Sequence, residues 1–273
     1  MSKLNIEKEK EKLAWDADKG VGFFPVTDPW YNDFYFEASI SNSNSKIADA
    51  LNKFRVDIVN KHIKGKVLDF GCGSGQFLEY RGNSFGFDIC PKAISSLREK
   101  GLYVDFWNGG MKGKEIEGIT MFDVLEHLRD PKLILSQIKC RWLIISIPIF
   151  ESKSVALNSK HFKPREHFWY FSHNALVDLL KINGFEMIEC LDDETKIGRE
   201  GIETFVFRKK RSKEEGKLCY SCFSRQEDFN ADIGYRYVCI EEFEVFENIM
   251  PLNGSKAVCF WDNPSFKQID RGE

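Results

Sequence analysis

The stretch Val67–Gly75, VLDFGCGSG, decides the fold. It begins as an apolar strand, KVLDF, and turns into three glycines, Gly71, Gly73 and Gly75, before a short helical run. Glycines directly after a strand let the backbone turn tightly and approach a ligand closely. Asp69 stands just before the loop. Asp88 ends the next strand, SFGFDI, where an acid can accept hydrogen bonds from two ribose hydroxyls.

Two nucleotide readings compete for this loop. A nicotinamide-dinucleotide loop more usually reads G-x-G-x-x-G and sets a pyrophosphate on the helix N-terminus. Here the third glycine comes one residue early, and Asp69 sits where a phosphate would be repelled. A carboxylate at this place suits a cationic ligand. S-adenosylmethionine fits better, because it carries a sulfonium and an amino group and no phosphate. Residues 76–87 alone separate the last glycine from Asp88, so the first helix must be short.

Outward from the loop, strands and helices alternate. The helix CPKAISSLREKG follows the second strand, and LYVDFW and GITMFDV read as the third and fourth strands. PKLILSQIK is a helix, WLIISIPI a fifth strand, and SHNALVDLLKINGF a helix with a Ser172 cap and a Gly184 stop. FEMIECL and IETFVFR are the last two strands. This alternation predicts a parallel-rich sheet covered on both faces. Upstream, KIADALNKFRVDIVNKHI has helical spacing at Ile47, Ala50, Leu51, Phe54 and Ile58.

At this point a resemblance is visible. VLDFGCGSG, FGFDIC, FDVLEHLRDP and WLIISIPIF resemble successive motifs of the class I S-adenosylmethionine-dependent methyltransferases, over about residues 45–208. The resemblance implies an α/β, Rossmann-like, seven-stranded, mostly parallel sheet of order 3-2-1-4-5-7-6, with helices on both faces and the last strand antiparallel. It implies S-adenosyl-L-methionine as cofactor, with Asp69, Gly71, Gly73 and Gly75 around the methionine moiety and Asp88 on the ribose. Phe122 would lie near the adenine, with Trp107 or Asn108 beside it.

The stretch after the fourth strand, DVLEH, places Asp123, Glu126 and His127 at the edge where ligands of open α/β sheets bind. Three readings stay open. Asp123 could cap a turn while Glu126 or His127 holds the loop. His127 could act as general base for a hydroxyl acceptor. The third reading comes from the resemblance: the ubiquinone-pathway O-methyltransferases and the small-RNA 2′-O-methyltransferases carry E-x-x-E-H here. A divalent metal ion on Asp123, Glu126 and His127 is then expected to lower the pKa of substrate hydroxyls, with His161 or His167 as a further ligand. The motif closest to this chain is the ubiquinone-biosynthesis type. In that likeness HFKPREHFWYF, with His161, Arg165, His167, Trp169 and Tyr170, forms a loop over the substrate mouth, and His167 joins His127 as catalytic. Alternatively, Phe168, Trp169 and Phe171 simply pack the loop onto the sheet.

The acceptor is narrowed by what is missing. DVLE stands where amino-methylating DNA enzymes carry [DN]-P-P-[YF], and SIPIF holds no Pro-Cys nucleophile. A net charge of −3 implies no global attraction to nucleic acid or acidic membranes. The reading is therefore O-methylation of a small or medium-sized acceptor. The alternatives are RNA or modified DNA as acceptor, and a non-catalytic S-adenosylmethionine-binding module.

Residues 1–44 read as an N-terminal extension: a solvated helix or frayed tail to about residue 20, then the aromatic run FFPVTDPWYNDFYF, either lid or clasp. Residues 45–208 are the methyltransferase domain, 209–217 a charged linker and 218–273 a C-terminal appendage. The appendage holds CYSC (219–222), Cys239 and Cys259, spacings too wide for a usual zinc ribbon. The charged N-terminus and the short apolar runs predict no membrane insertion and a cytoplasmic protein whose eight cysteines are free thiols.

Overall fold

A computed structural model describes residues 9–26, 37, 45–107 and 109–210. The chain divides into two units, 1–210 and 211–273, and every described residue lies in the first. The appendage, its CYSC motif, most of the linker, residues 27–36 of the aromatic run and Asn108 lie outside the described residues.

A six-stranded sheet carries the domain. Its strands are β3 (Lys66–Phe70), β4 (Ser84–Phe87), β5 (Ile116–Phe122), β6 (Trp142–Pro148), β8 (Phe185–Leu191) and β9 (Ile202–Lys209). They run in the order β4-β3-β5-β6-β9-β8. β3 to β6 are parallel, and β9 runs antiparallel to both β6 and β8. All seven residues of β6 are buried, as expected of a strand covered on both faces.

Seven strands were expected, and the third, LYVDFW, differs. It touches β4 only through a parallel bridge between Gly86 and Tyr103, with Gly86 N donating to Leu102 O and Val104 N to Gly86 O. Beyond Val104 the chain bends away, because the Asp105 carboxylate takes up the Trp107 N–H at 2.8 Å and closes a turn.

The helices are α1 (Lys46–His62), α2 (Gln76–Arg81), α3 (Pro91–Glu99), α4 (Pro131–Gln137), α5 (Lys153–Asn158), α6 (His173–Ile182) and α7 (Asp193–Lys196). α2 has six residues, the short first helix the glycine–acid spacing demands. α1 buries Asn52, Arg55, Ile58 and Val59, a face rotated from the expected stripe, and Ile47 is exposed. Ile58, Val59 and Ile63 pack with Val67, Phe77, Leu97, Ile144 and Val206 in one apolar cluster. Burial of each such aliphatic side chain stabilises by about 1.5–3 kcal/mol.

The N-terminal extension is not a frayed tail from residue 14 onward. β1 (Ala14–Asp16) and β2 (Val21–Phe23) form a hairpin, and β2 pairs antiparallel with β7 (Trp169–Phe171). Phe24 N donates to Phe168 O at 2.8 Å, and Ser172 N to Gly20 O at 2.8 Å. Gly20 has φ +64, and a Cβ there would meet Ser172 Oγ at 2.3 Å, so the hairpin can dock closely only with glycine. Residues 14–24 thus pack on the domain through β7. β7 lies where a loop is expected, and α5 falls in a stretch with no sequence expectation. α5 is opened by Ser152, whose hydroxyl accepts the Val155 N–H. β7 shows no alternation because Trp169, Tyr170 and Phe171 are all buried.

Candidate functional site

Parallel strands place the chain that follows β3, β4 and β5 at one edge of the sheet. The glycine loop leaves β3 there. Gly71, Gly73 and Gly75 all have positive φ, at +77, +54 and +78. A Cβ on Gly71 would lie 2.6 Å from Val124 Cγ2, so that glycine is required for space as well as for conformation.

Asp69 is buried and accepts the Thr120 hydroxyl across β3 and β5 at 2.6 Å. Its desolvation pushes the carboxyl up to about 7, against the opposing effects of that bond and of Arg55. Asp88 accepts Gly73 N–H on Oδ2 and Cys90 N–H on Oδ1, each at 2.8 Å. Burial raises its pKa too, although these backbone donors favour the charged form. A buried and a half-buried carboxylate therefore flank a glycine turn. This donor set fits a cationic nucleoside with a ribose diol, and it does not fit a pyrophosphate.

Phe122 ends β5. The Arg55 guanidinium lies 4.4 Å from its ring centroid and Phe77 meets it edge-on at 5.1 Å, so much of the ring is taken by protein. Trp107 packs edge-on against Phe106, with ring centroids 4.9 Å apart.

Asp123 follows Phe122 with φ +58, a left-handed conformation that costs a non-glycine residue energy and gathers at functional edges. It is not a cap: Asp130 caps α4, its Oδ1 accepting Leu133 N–H at 3.0 Å. Asp123 instead closes a ring of four charges. Arg55 Nη2 donates to Asp123 Oδ2 at 3.1 Å and Arg55 Nε to Glu194 Oε1 at 3.1 Å. Arg199 Nη2 donates to Asp123 Oδ1 at 2.6 Å, and its Nη1 pairs with Glu194 Oε2. Against desolvation, Arg199 and Arg55 hold the Asp123 carboxyl well below the usual range. Both its oxygens are thus engaged.

Glu126 and His127 lie in one turn of 3₁₀ helix, Leu125–His127. Phe168 N donates to Glu126 O at 2.9 Å, which brings the His167 loop alongside. The His127 and His167 rings meet at right angles with centroids 4.5 Å apart. His127 Nδ1 lies 3.0 Å from Glu166 O, an acceptor, so Nδ1 carries the proton and Nε2 keeps its lone pair. Nε2 is 3.8 Å from Glu126 Oε1. Neither Glu126 oxygen nor His167 Nδ1 has a hydrogen-bond partner among the described residues.

Burial governs all three titrations. It pushes Glu126 well up, with Asp123 adding to the effect, takes His127 down to about 4, and takes His167 well down. Glu126, His127 and His167 bring ligand atoms within 4.8 Å of one another. Neutral imidazoles and an unsatisfied carboxylate are what a divalent cation needs. Of the expected ligands Asp123, Glu126 and His127, the last two join this group; Asp123 belongs to the arginine ring.

The remaining predicted residues divide. His161 Nε2 is 2.9 Å from Glu200 O. Trp169 Nε1 donates to Leu128 O at 2.9 Å, and the Tyr170 hydroxyl accepts Lys163 N–H at 3.2 Å. These two rings are buried and hold the loop. Arg55, Thr120, Glu194 and Arg199 were not foreseen. Arg55 alone left a signal, since it lies four residues after Leu51 and three before Ile58, on an apolar face.

A sequence profile described as a methyltransferase domain matches residues 41–190. No curated protein matches the chain in sequence. Among solved structures, magnesium protoporphyrin IX methyltransferase (ChlM) from Synechocystis PCC 6803, with bound SAH, superposes with a TM-score of 0.51 at 16% identity, covering 66% of this chain and 97% of that one. The [4+2]-cyclase SpnF superposes with a TM-score of 0.50 at 14% identity, covering 70% and 99%. At such identities the likeness is one of fold, and the fold serves more than one reaction. Among the described residues no helix is long and apolar enough to cross a membrane.

Proposed function

The chain belongs to the methyltransferase-domain family and is an S-adenosylmethionine-dependent methyltransferase; from that premise we propose that it methylates an oxygen of a small or medium-sized acceptor, with His127 taking the acceptor's proton. When bound, S-adenosylmethionine supplies an electrophilic methyl group on sulfur. Asp69 and the loop Gly71–Gly75 would hold its amino-acid end, and Asp88, oriented by Gly73 and Cys90, its ribose.

The observation that carries the role of His127 is its tautomer. Nδ1–H is fixed on Glu166 O and burial keeps the ring neutral, which makes Nε2 the basic nitrogen. A hydroxyl oxygen becomes strongly acidic as it gains a methyl group, so a weak base in place suffices. Glu126 Oε1 lies 3.8 Å from Nε2, and burial holds that carboxyl toward its neutral form until a cation stands beside it. His167, edge-on to His127, fixes the ring's plane. The oxygen acceptor and its size rest on the ubiquinone-type motif of the sequence.

One observation favours a second reading. Both Glu126 oxygens are buried without a hydrogen-bond partner among the described residues, beside two neutral imidazoles. Glu126, His127 and His167 would hold a divalent ion, which lowers the pKa of a hydroxyl bound to it. With Nδ1 committed to Glu166, Nε2 can be a base or a ligand, but not both.

Chelation separates the two. Labelled methyl transfer into fractionated extract should appear in the small-molecule fraction, vanish in His127→Ala, and persist in the variant's calorimetric binding of S-adenosylmethionine as an unchanged Kd. Indifference to chelator supports the base; loss of transfer that a divalent ion restores supports the metal. Label confined to nucleic acid would overturn the small acceptor, and full transfer by His127→Ala would overturn both roles of that residue.

A further inference from the structure

A second group of ligand-type side chains lies away from this site. His173 opens α6, Cys190 is the sixth residue of β8, and Glu203 the second of β9. Successive side chains of a strand alternate between faces, so Glu203 points away from the face of Thr204, which borders the arginine ring. His173 Nδ1 and Cys190 Sγ both approach Glu203 Oε2, at 2.7 and 3.3 Å. The three ligand atoms lie within 4.8 Å of one another.

We propose that His173, Cys190 and Glu203 form a zinc-type divalent metal site, with water as the fourth ligand. The donors are one imidazole nitrogen, one sulfur and one carboxylate oxygen, a set that suits zinc. Zinc–ligand bonds of about 2.0–2.3 Å in a tetrahedron set ligand atoms roughly 3.3–3.6 Å apart. The Sγ–Oε2 separation is already at the short end of that range, and the Nδ1–Oε2 contact must widen by roughly 0.6–0.9 Å. Glu203 can provide this, because its side chain is partly exposed, as is that of His173. The same exposure opens the fourth position to water.

The local charge favours a cation. The charged groups acting on the Cys190 thiol are the carboxylates of Glu203 and Asp192, both of which raise its pKa. With burial as the main cause, the thiol is pushed up to about 12. Without metal it is therefore protonated and donates to Glu203. Binding replaces that S–H bond by a metal–sulfur bond and releases one proton to solvent. To ligate, His173 Nδ1 gives up its hydrogen bond to Glu203, and the ring proton stands on Nε2. The ion would staple α6 to β8 and β9. β8 is the sheet edge, and its pairing with β9 is interrupted between Met187 and Glu189, just before Cys190.

The test uses the full chain carrying Cys219→Ser, Cys222→Ser, Cys239→Ser and Cys259→Ser, so that the tail thiols cannot bind. Cobalt(II) should produce a sulfur-to-cobalt charge-transfer band at one equivalent, displaced by zinc(II). Adding Cys190→Ser should abolish the band, and the near-isosteric Glu203→Gln, checked for folding by its Tm, should weaken cobalt binding at least tenfold. His167→Ala, which belongs to the other group, should leave the band intact. Absence of the band in the parent protein overturns the site, as does a band that survives Cys190→Ser or keeps its affinity in Glu203→Gln.

Discussion

Thr120 donates its hydroxyl to Asp69 across two adjacent parallel strands, Oγ1 to Oδ1 at 2.6 Å. Both residues are buried, and the bond joins the acid proposed to hold the cofactor to the strand ahead of the Asp123–His127 turn. The buried Asp69 carboxyl predicts pH-dependent S-adenosylmethionine binding. Burial raises Asp69 to about 7 without ligand, so the carboxyl is mostly protonated at pH 6 and ionised at pH 8. A cationic ligand needs the ionised form. Affinity should therefore fall about tenfold per pH unit below 7 and level off above it. Thr120→Val should move the inflection upward, as calorimetry across pH 5.5–8.5 would read. The folding sign is opposite: the raised pKa favours the ligand-free fold fully below about 4, and that contribution is lost as pH rises through about 7.

Asp88→Ala removes the acceptor of both Gly73 N–H and Cys90 N–H. Each stranded donor costs about 1–3 kcal/mol, and the ribose contacts go as well. The Kd for S-adenosylmethionine should rise at least about a hundredfold. A Kd within threefold of the parent would show that the acid does not grip the ribose.

Gly71→Ala should disturb the loop rather than the sheet. The left-handed φ of +77 costs an alanine roughly 1–2 kcal/mol, and its Cβ would press on Val124 at 2.6 Å. Cofactor binding should weaken more than the urea midpoint shifts. Equal affinity in both proteins would count against the tight turn.

Arg55→Met should destabilise the domain by about 3 kcal/mol, because it leaves the fully buried Glu194 with one cation, Arg199, and strips Asp123 of one partner. Urea denaturation measures this. A loss under about 1 kcal/mol would mean that the surviving arginine compensates both acids.

What the sequence shows follows from the range of each interaction. The strands from β3 to β6 are legible because apolar runs and glycine punctuation are local signals. Asp69 and Asp88 are legible because a parallel sheet fixes where strand ends lie. The arginine ring is not, because its members come from positions 55, 123, 194 and 199, which only the tertiary fold brings together. β7 is hidden for a different reason: with both faces covered, Trp169–Phe171 shows no alternation. The third strand read from LYVDFW is real only as far as one bridge, since Asp105 favours a turn over a ladder.

The pairing of residues 21–23 with 169–171 has a consequence for synthesis. Partners so far apart in sequence meet late, after the local β-α units have condensed, since the long intervening loop must first be closed. During translation the amino-terminal hairpin must wait, unpaired, until Phe171 has left the ribosome. Because β7 directly follows His167 and Phe168, the hairpin docks against the same segment that carries His167 to His127. A nascent chain stalled before that point would hold the glycine loop without the His127–His167 pair.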